Sequence, residues 1–243
     1  MLRNRCLLFI FIIAASLPVF SQRTLTIRST DTRVQVEKVA DSSFVFLYPE
    51  LMDAVIVTKD GRTSQAKLNY SMLLDEMHMQ TRRGIQAVET NNLKNLEIGS
   101  ATFIHRGEEG YFEVLSEGRF PLLMKRQIRV SAMPVRRGAY GGTDYTSAID
   151  LAASIATNSG GDFNREIFLD NPSGQEMDIT LRYSDYFVIE KSGQLIRLNN
   201  QRQLLRDFPE YRNELRDFIR SENINFSNQQ DLVKLVNFME EMK

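Results

Sequence analysis

Residues 66–72 read Ala-Lys-Leu-Asn-Tyr-Ser-Met, and residues 122–130 read Leu-Leu-Met-Lys-Arg-Gln-Ile-Arg-Val. In the first, Ala66, Leu68, Tyr70 and Met72 alternate with Lys67, Asn69 and Ser71. In the second, Leu122, Met124, Ile128 and Val130 alternate with Leu123, Lys125, Gln127 and Arg129, and Arg126 is the one charge on the apolar side. A period of two sends one set to a core and the other to water, the signature of half-buried antiparallel strands. The same pattern fills residues 43–132, broken at Asp60-Gly61, Arg83-Gly84, Gly107 to Gly110 and Glu117-Gly118, where glycine supplies positive φ. Such spacing predicts a β-meander closing into a sandwich, roll or small barrel. No long helical stretch interrupts it, which argues against a parallel βαβ sheet.

Downstream the texture changes. Residues 133–178 carry Gly138, Gly141, Gly142, Gly160, Gly161 and Gly174 among Ser, Thr, Asp and Asn. A flexible segment is expected there, with a short helix only over residues 147–157. Residues 181–190 and 194–198 flank Lys191-Ser192-Gly193, a hairpin pattern. The period then becomes 3.6: Leu204, Phe208, Tyr211, Leu215 and Phe218 form one apolar stripe, and Leu232, Leu235, Val236, Met239 and Met242 another. Asp207 before Pro209 and Glu210 predicts a helix start, and Ser227 with Gln230 predicts a capping box before the last helix. The two helices, joined through Ile224 and Phe226, should pack as an antiparallel pair. The expected fold is therefore α+β, an antiparallel meander followed by a hairpin and a helix pair. Its expected divisions are a leader at 1–21, a β domain at 22–132, the flexible segment at 133–178 and the helical region at 179–243.

Upstream, Arg3 and Arg5 precede an unbroken apolar run of ten residues at 6–15, Cys-Leu-Leu-Phe-Ile-Phe-Ile-Ile-Ala-Ala. Pro18 breaks it, and Val19 and Ser21 are the small residues of a cleavage site before Gln22. This is the plan of a secretory signal, and the run is shorter than the roughly 20 residues a membrane span needs. Export to the periplasm, the outer membrane or the medium is the expectation, with no transmembrane span left after cleavage. Cys6 does not follow the apolar run, so it is not placed as a lipoprotein's lipid-bearing cysteine. It is also the only cysteine of the 243 residues, so the mature chain would carry none, and thiol nucleophiles, thiolate metal sites and disulfides are excluded from it. Removing Arg3 and Arg5 takes the net charge from -1 to -3, which gives no reason to expect nucleic acid as a partner.

Catalytic motifs are missing. No G-x-S-x-G elbow, H-E-x-x-H, calcium loop or phosphate-cradling glycine loop occurs, and Gly138 to Gly142 lacks the lysine a P-loop needs. The sequence therefore assigns no catalytic, cofactor-binding or metal-ligating residue, and no cofactor. The two histidines are expected on partly or fully solvated strand faces, His78 beside Glu76 and His105 beside Arg106. A zinc site needs three or four ligands, and the sequence offers only the Glu76–His78 pair locally. Lys125, Arg126, Arg129, Arg136 and Arg137 cluster in about a dozen residues. They are the candidates for contact with an anionic partner, such as lipid A phosphates or an acidic polysaccharide. The alternation puts Lys125 and Arg129 on the solvent side.

Residues 66–79 (AKLNYSMLLDEMHM), Phe103-Ile104, residues 111–115 (YFEVL) and 122–125 (LLMK), with residues 219–226 (IRSENINF) and 231–235 (DLVKL), resemble an uncharacterised exported protein family of Bacteroidetes-type bacteria. The resemblance spans most of the mature chain apart from residues 133–178. It implies an envelope or secreted location and transfers no catalytic residue. The expected role is a non-catalytic binding or structural protein of the cell envelope, meeting an envelope protein or a glycan. The alternatives are a carboxylate-dependent hydrolase, for which Glu76, Glu113 and Asp185 are trial residues, and a periplasmic carrier of a small apolar ligand.

Overall fold

The computed structural model describes residues 23–137, 143–144, 154–157 and 165–242. The leader, the glycines at 138–142 and the first part of the expected 147–157 helix lie outside the described residues. In chain order the strands are β1 (Thr24–Ser29), β2 (Arg33–Gln35), β3 (Met52–Thr58), β4 (Thr63–Ser71), β5 (Glu76–Thr81), β6 (Gly84–Ala87), β7 (Leu93–Ile98), β8 (Ala101–His105), β9 (Tyr111–Ser116), β10 (Leu122–Lys125) and β11 (Ile128–Pro134). They continue with β12 (Arg136–Arg137), β13 (Thr143–Asp144), β14 (Ser154–Thr157), β15 (Arg165–Asp170), β16 (Met177–Tyr183), β17 (Tyr186–Lys191) and β18 (Gln194–Arg197). Short helices α1 (Val36–Val39) and α2 (Ser42–Val45) precede β3, and α3 (Gln201–Asp207), α4 (Arg212–Ser221) and α5 (Gln229–Glu241) close the chain.

The fold is α+β and mostly antiparallel. One ten-stranded sheet runs β18-β17-β10-β9-β8-β7-β3-β4-β5-β6, two meanders joined where β7 returns beside β3. Two three-stranded sheets, β1-β16-β11 and β14-β15-β2, accompany it. The expected 147–157 helix is corrected over its last four residues: Ser154–Thr157 is a strand paired with β15. There a neighbouring ladder overrides weak helical spacing. Strand pairing also crosses the expected divisions, since β1 pairs with β16 and β17 pairs with β10.

Residues 122–130 do not form one strand. The alternation holds on either side, but the chain leaves the ladder at Arg126 and Gln127. β10 joins the large sheet and β11 the small one. Residues 181–190 divide likewise at Ser184 and Asp185 between β16 and β17. The hairpin turn is as read, with Ser192 and Gly193 both at positive φ, 52° and 79°.

Two main cores lie on the large sheet. Around β3, β4, β5, β7 and β8, Leu68, Met77, Leu96, Ile98 and Phe103 pack against Ile179 and Leu181 of β16 and Leu169 of β15. Around β10 and β17, Leu122 and Ile189 receive Leu215 and Ile219 of α4 and Leu232, Leu235, Val236 and Met239 of α5. Each such fully buried side chain contributes about 1.5–3 kcal/mol.

The helix starts differ from those expected. Asp207 ends α3; Pro209 begins a single 3-10 turn that leads into α4. The cap of α5 is Asn228, whose Oδ1 accepts from the amides of Gln230 (2.8 Å) and Asp231 (3.1 Å). Asp231 accepts from the amide of Asn225 at 3.0 Å, while the amide of Asn228 itself donates to the Asn225 carbonyl, so the cap lies one residue past Ser227 and the reciprocal capping box is not made. Among the described residues no helix is long and apolar enough to cross a membrane.

Candidate functional site

The connection between β4 and β5 is a buried turn: Met72, Leu73 and Leu74 are 8% exposed or less. Three apolar residues in a row at a turn are drawn inward, and their backbone groups must then find partners. Met72 donates to the Val45 carbonyl and accepts from Ile128, and Leu74 donates to Ser71 Oγ. The turn closes at Asp75 with φ of 55°, in the left-handed region that Asp tolerates.

Asp75 anchors a polar cluster inside the sheet. Its Oδ2 accepts from Lys125 Nζ at 2.5 Å, and its Oδ1 accepts from the Tyr70 hydroxyl at 2.6 Å and the Tyr111 amide at 3.2 Å. Lys125 also donates to the Glu109 carbonyl at 2.7 Å, and its ammonium lies 4.9 Å over the Phe112 ring. The Tyr70 hydroxyl is 2.9 Å from the Arg126 carbonyl as well; its single proton serves the carboxylate, the stronger acceptor. β4 and β9 are four strands apart, about 19 Å if the sheet were flat, so the Asp75–Tyr111 contact requires it to curl. Gly110, at φ of 73°, is the point of closest approach. A Cβ there would lie 1.7 Å from Asp75 Oδ2.

Burial governs the protons here. It lowers the Lys125 pKa against the opposing pull of Asp75, and raises that of Tyr70 well above the ordinary phenol value, with the Asp75 charge adding to the effect. It also raises that of Tyr111 and lowers that of His105, whose ring meets Tyr111 edge-on at 4.8 Å. The placement of Lys125 corrects the expectation that it faces solvent. Its side chain is only 4% exposed, because β10 sits between β9 and β17 in a sheet covered on both faces at that point.

A second cluster gathers two of the three trial carboxylates. Arg126 Nε is 2.7 Å from Glu113 Oε2, and its guanidinium is 3.9 Å from Asp185 Oδ2. Burial raises the Asp185 pKa despite the attraction of Arg126. Glu76, the third, lies apart and accepts from the Arg165 amide at 3.0 Å. It stands 3.4 Å from His78 Nε2. Both Glu76 and His78 are buried, 7% and 9% exposed, which overturns the solvated face expected for them. Residues 46–50 cover that side of β4 and β5: Phe46 packs on the His78 ring at 5.4 Å, and Asn69 donates to the carbonyls of Tyr48 and Glu50. Alternation shows where a strand's faces point, and a distant segment decides whether the second face is wet. Among the described residues no group of three or more His, Cys, Asp or Glu is arranged to hold a metal ion.

The basic cluster is taken apart by the fold. Lys125 and Arg126 are committed to carboxylates inside the molecule, while Arg129 stays exposed on β11. For Arg136 and Arg137 only the backbone, as β12 paired with β13, is described. Arg129 instead gains a neighbour from far along the chain, standing directly opposite Arg182 of β16. Only the register shows this pairing; the sequence signal for Arg182 was a lone arginine in a strand. No protein-family model, curated protein or solved structure matches the chain.

Proposed function

We propose that this chain is an exported, non-catalytic binding or structural protein of the bacterial cell envelope that acts through its surfaces. One observation carries the reading: the groups capable of chemistry close on each other. Asp75, Lys125 and Tyr70 spend their hydrogen bonds holding the β4–β5 turn to β9 and β10, and Glu76 holds the start of β15. The interior of the sheet is filled rather than hollow, with Leu68, Leu96, Ile98 and Phe103 at most 1% exposed, which disfavours the apolar-ligand carrier. The leader and the resemblance to exported envelope proteins support the location.

One geometry favours the hydrolase alternative. Glu113 and Asp185 flank a single guanidinium, and burial raises the carboxyl pKa of Asp185 as a general acid requires. The purified mature protein, incubated with envelope glycans and peptides, should form complexes and release no product. Turnover abolished by Glu113→Gln or Asp185→Asn would replace the binding reading with the hydrolase. N-terminal sequencing of the native protein should begin at Gln22; retention of Met1 would remove export.

A further inference from the structure

The outward face of the β1-β16-β11 sheet follows from its inward one. Leu25 and Ile27 of β1, Ile179 and Leu181 of β16, and Val130 and Ala132 of β11 turn toward the core, so their alternating neighbours turn away from it. Across the three strands those neighbours align in rows. One row is Arg129, Arg182 and Thr24, and the next is Ser131, Thr180 and Thr26.

The two ends of this face are treated differently. At one end Arg28 is neutralised by Asp178, at 2.7 Å, and by Glu176. At the other end Arg129 and Arg182, both exposed, stand opposite each other, and among the described residues no carboxylate pairs with either. Directly opposed residues have Cβ atoms about 4.5–5.5 Å apart, and like charges there are destabilising. Both side chains are exposed, so neither serves the core.

We propose that this face binds an acidic saccharide chain, its carboxylates held by the guanidinium forks of Arg129 and Arg182. Arginine matches a carboxylate with two parallel hydrogen bonds. The adjoining row of Ser131, Thr180 and Thr26 offers hydroxyls to sugar hydroxyls. A membrane surface fits less well, because the exposed large apolar side chains among the described residues, Val39 and Ile85, are not on this sheet. The inference rests on the non-catalytic binding reading and names its ligand class.

The test is titration of the full mature chain with a galacturonic acid hexamer, beside a neutral galactose hexamer and phosphatidylglycerol vesicles. The acidic hexamer should bind in a salt-sensitive way, and Arg182→Thr or Arg129→Ser should each weaken it roughly tenfold or more. Arg182→Thr should leave the thermal midpoint unchanged or raised, since it relieves the repulsion, so lost binding would not reflect unfolding. Absent binding, equal binding of the neutral hexamer, or unchanged affinity in both variants overturns the site. Vesicle binding without hexamer binding overturns it in favour of a phosphate surface. Shortening of the hexamer would sink the non-catalytic reading while leaving the site standing.

Discussion

The large sheet carries two cores of opposite character. Toward β18 it is dry: Leu122 and Ile189 meet two amphipathic helices whose buried residues are Leu215, Ile219, Leu232, Leu235, Val236 and Met239. Toward β9 and β4 the Lys125–Asp75 ion pair and two tyrosines are set among apolar side chains, with the Lys125 side chain 4% and that of Asp75 23% exposed. The dry core gains by area alone and tolerates small adjustments of the helices. The polar one depends on its pairing, because the Lys125 ammonium has almost no water to turn to. In exchange it ties together strands that a flat sheet would hold far apart, so the curl of the sheet depends on it.

Single substitutions should separate the two kinds of core. The largest effect is expected at Asp75→Ala, which strands the buried Lys125 ammonium and should cost about 3–5 kcal/mol in urea unfolding. A double Asp75→Asn, Lys125→Met protein that recovers most of that loss would show that the pair sets register more than stability. Leu235→Ala on the dry side should cost about 2–5 kcal/mol with no dependence on pH; a loss near zero would mark the helical stripe as a partner surface. Asn228→Ala should cost about 1 kcal/mol and Ser227→Ala almost nothing, and the reverse order would restore the cap one residue earlier.

The smallest effect is a pH slope confined to the polar side. Burial lowers the His105 pKa from its ordinary 6.5, so below that value the unfolded chain takes up a proton that the folded chain resists. Stability should therefore fall as pH drops through about 6.5 toward the lowered value. His105→Gln should flatten this part of the curve. Equal slopes in the two proteins would show that the histidine does not sense the cluster.

The dry core was legible in the sequence because a helix writes its buried stripe every three or four residues within one segment. Leu215 and Leu235 needed no knowledge of the rest of the chain. The strands around Leu68 and Tyr70 were legible for the same reason, at period two. Lys125 and His78 were not. Their positions in the alternation are correct, yet each was given to water, because the cover comes from elsewhere: residues 46–50 over His78, and the β4–β5 turn over Lys125. Of the trial carboxylates, Glu113 and Asp185 were brought to one arginine by a break after β10 and another after β16, and neither break has a glycine or proline to announce it.

By itself the sequence determined the local periods, and with them an antiparallel body ending in paired apolar helices. It also limited the residue types available for chemistry. The tertiary structure decided which second faces are covered, which carboxylate answers which cation, and that Arg129 stands opposite Arg182. The reason is range: period and turn chemistry act over a few residues, whereas burial and charge pairing depend on contacts between segments as far apart as Asp75 and Lys125, which only the assembled sheets bring together.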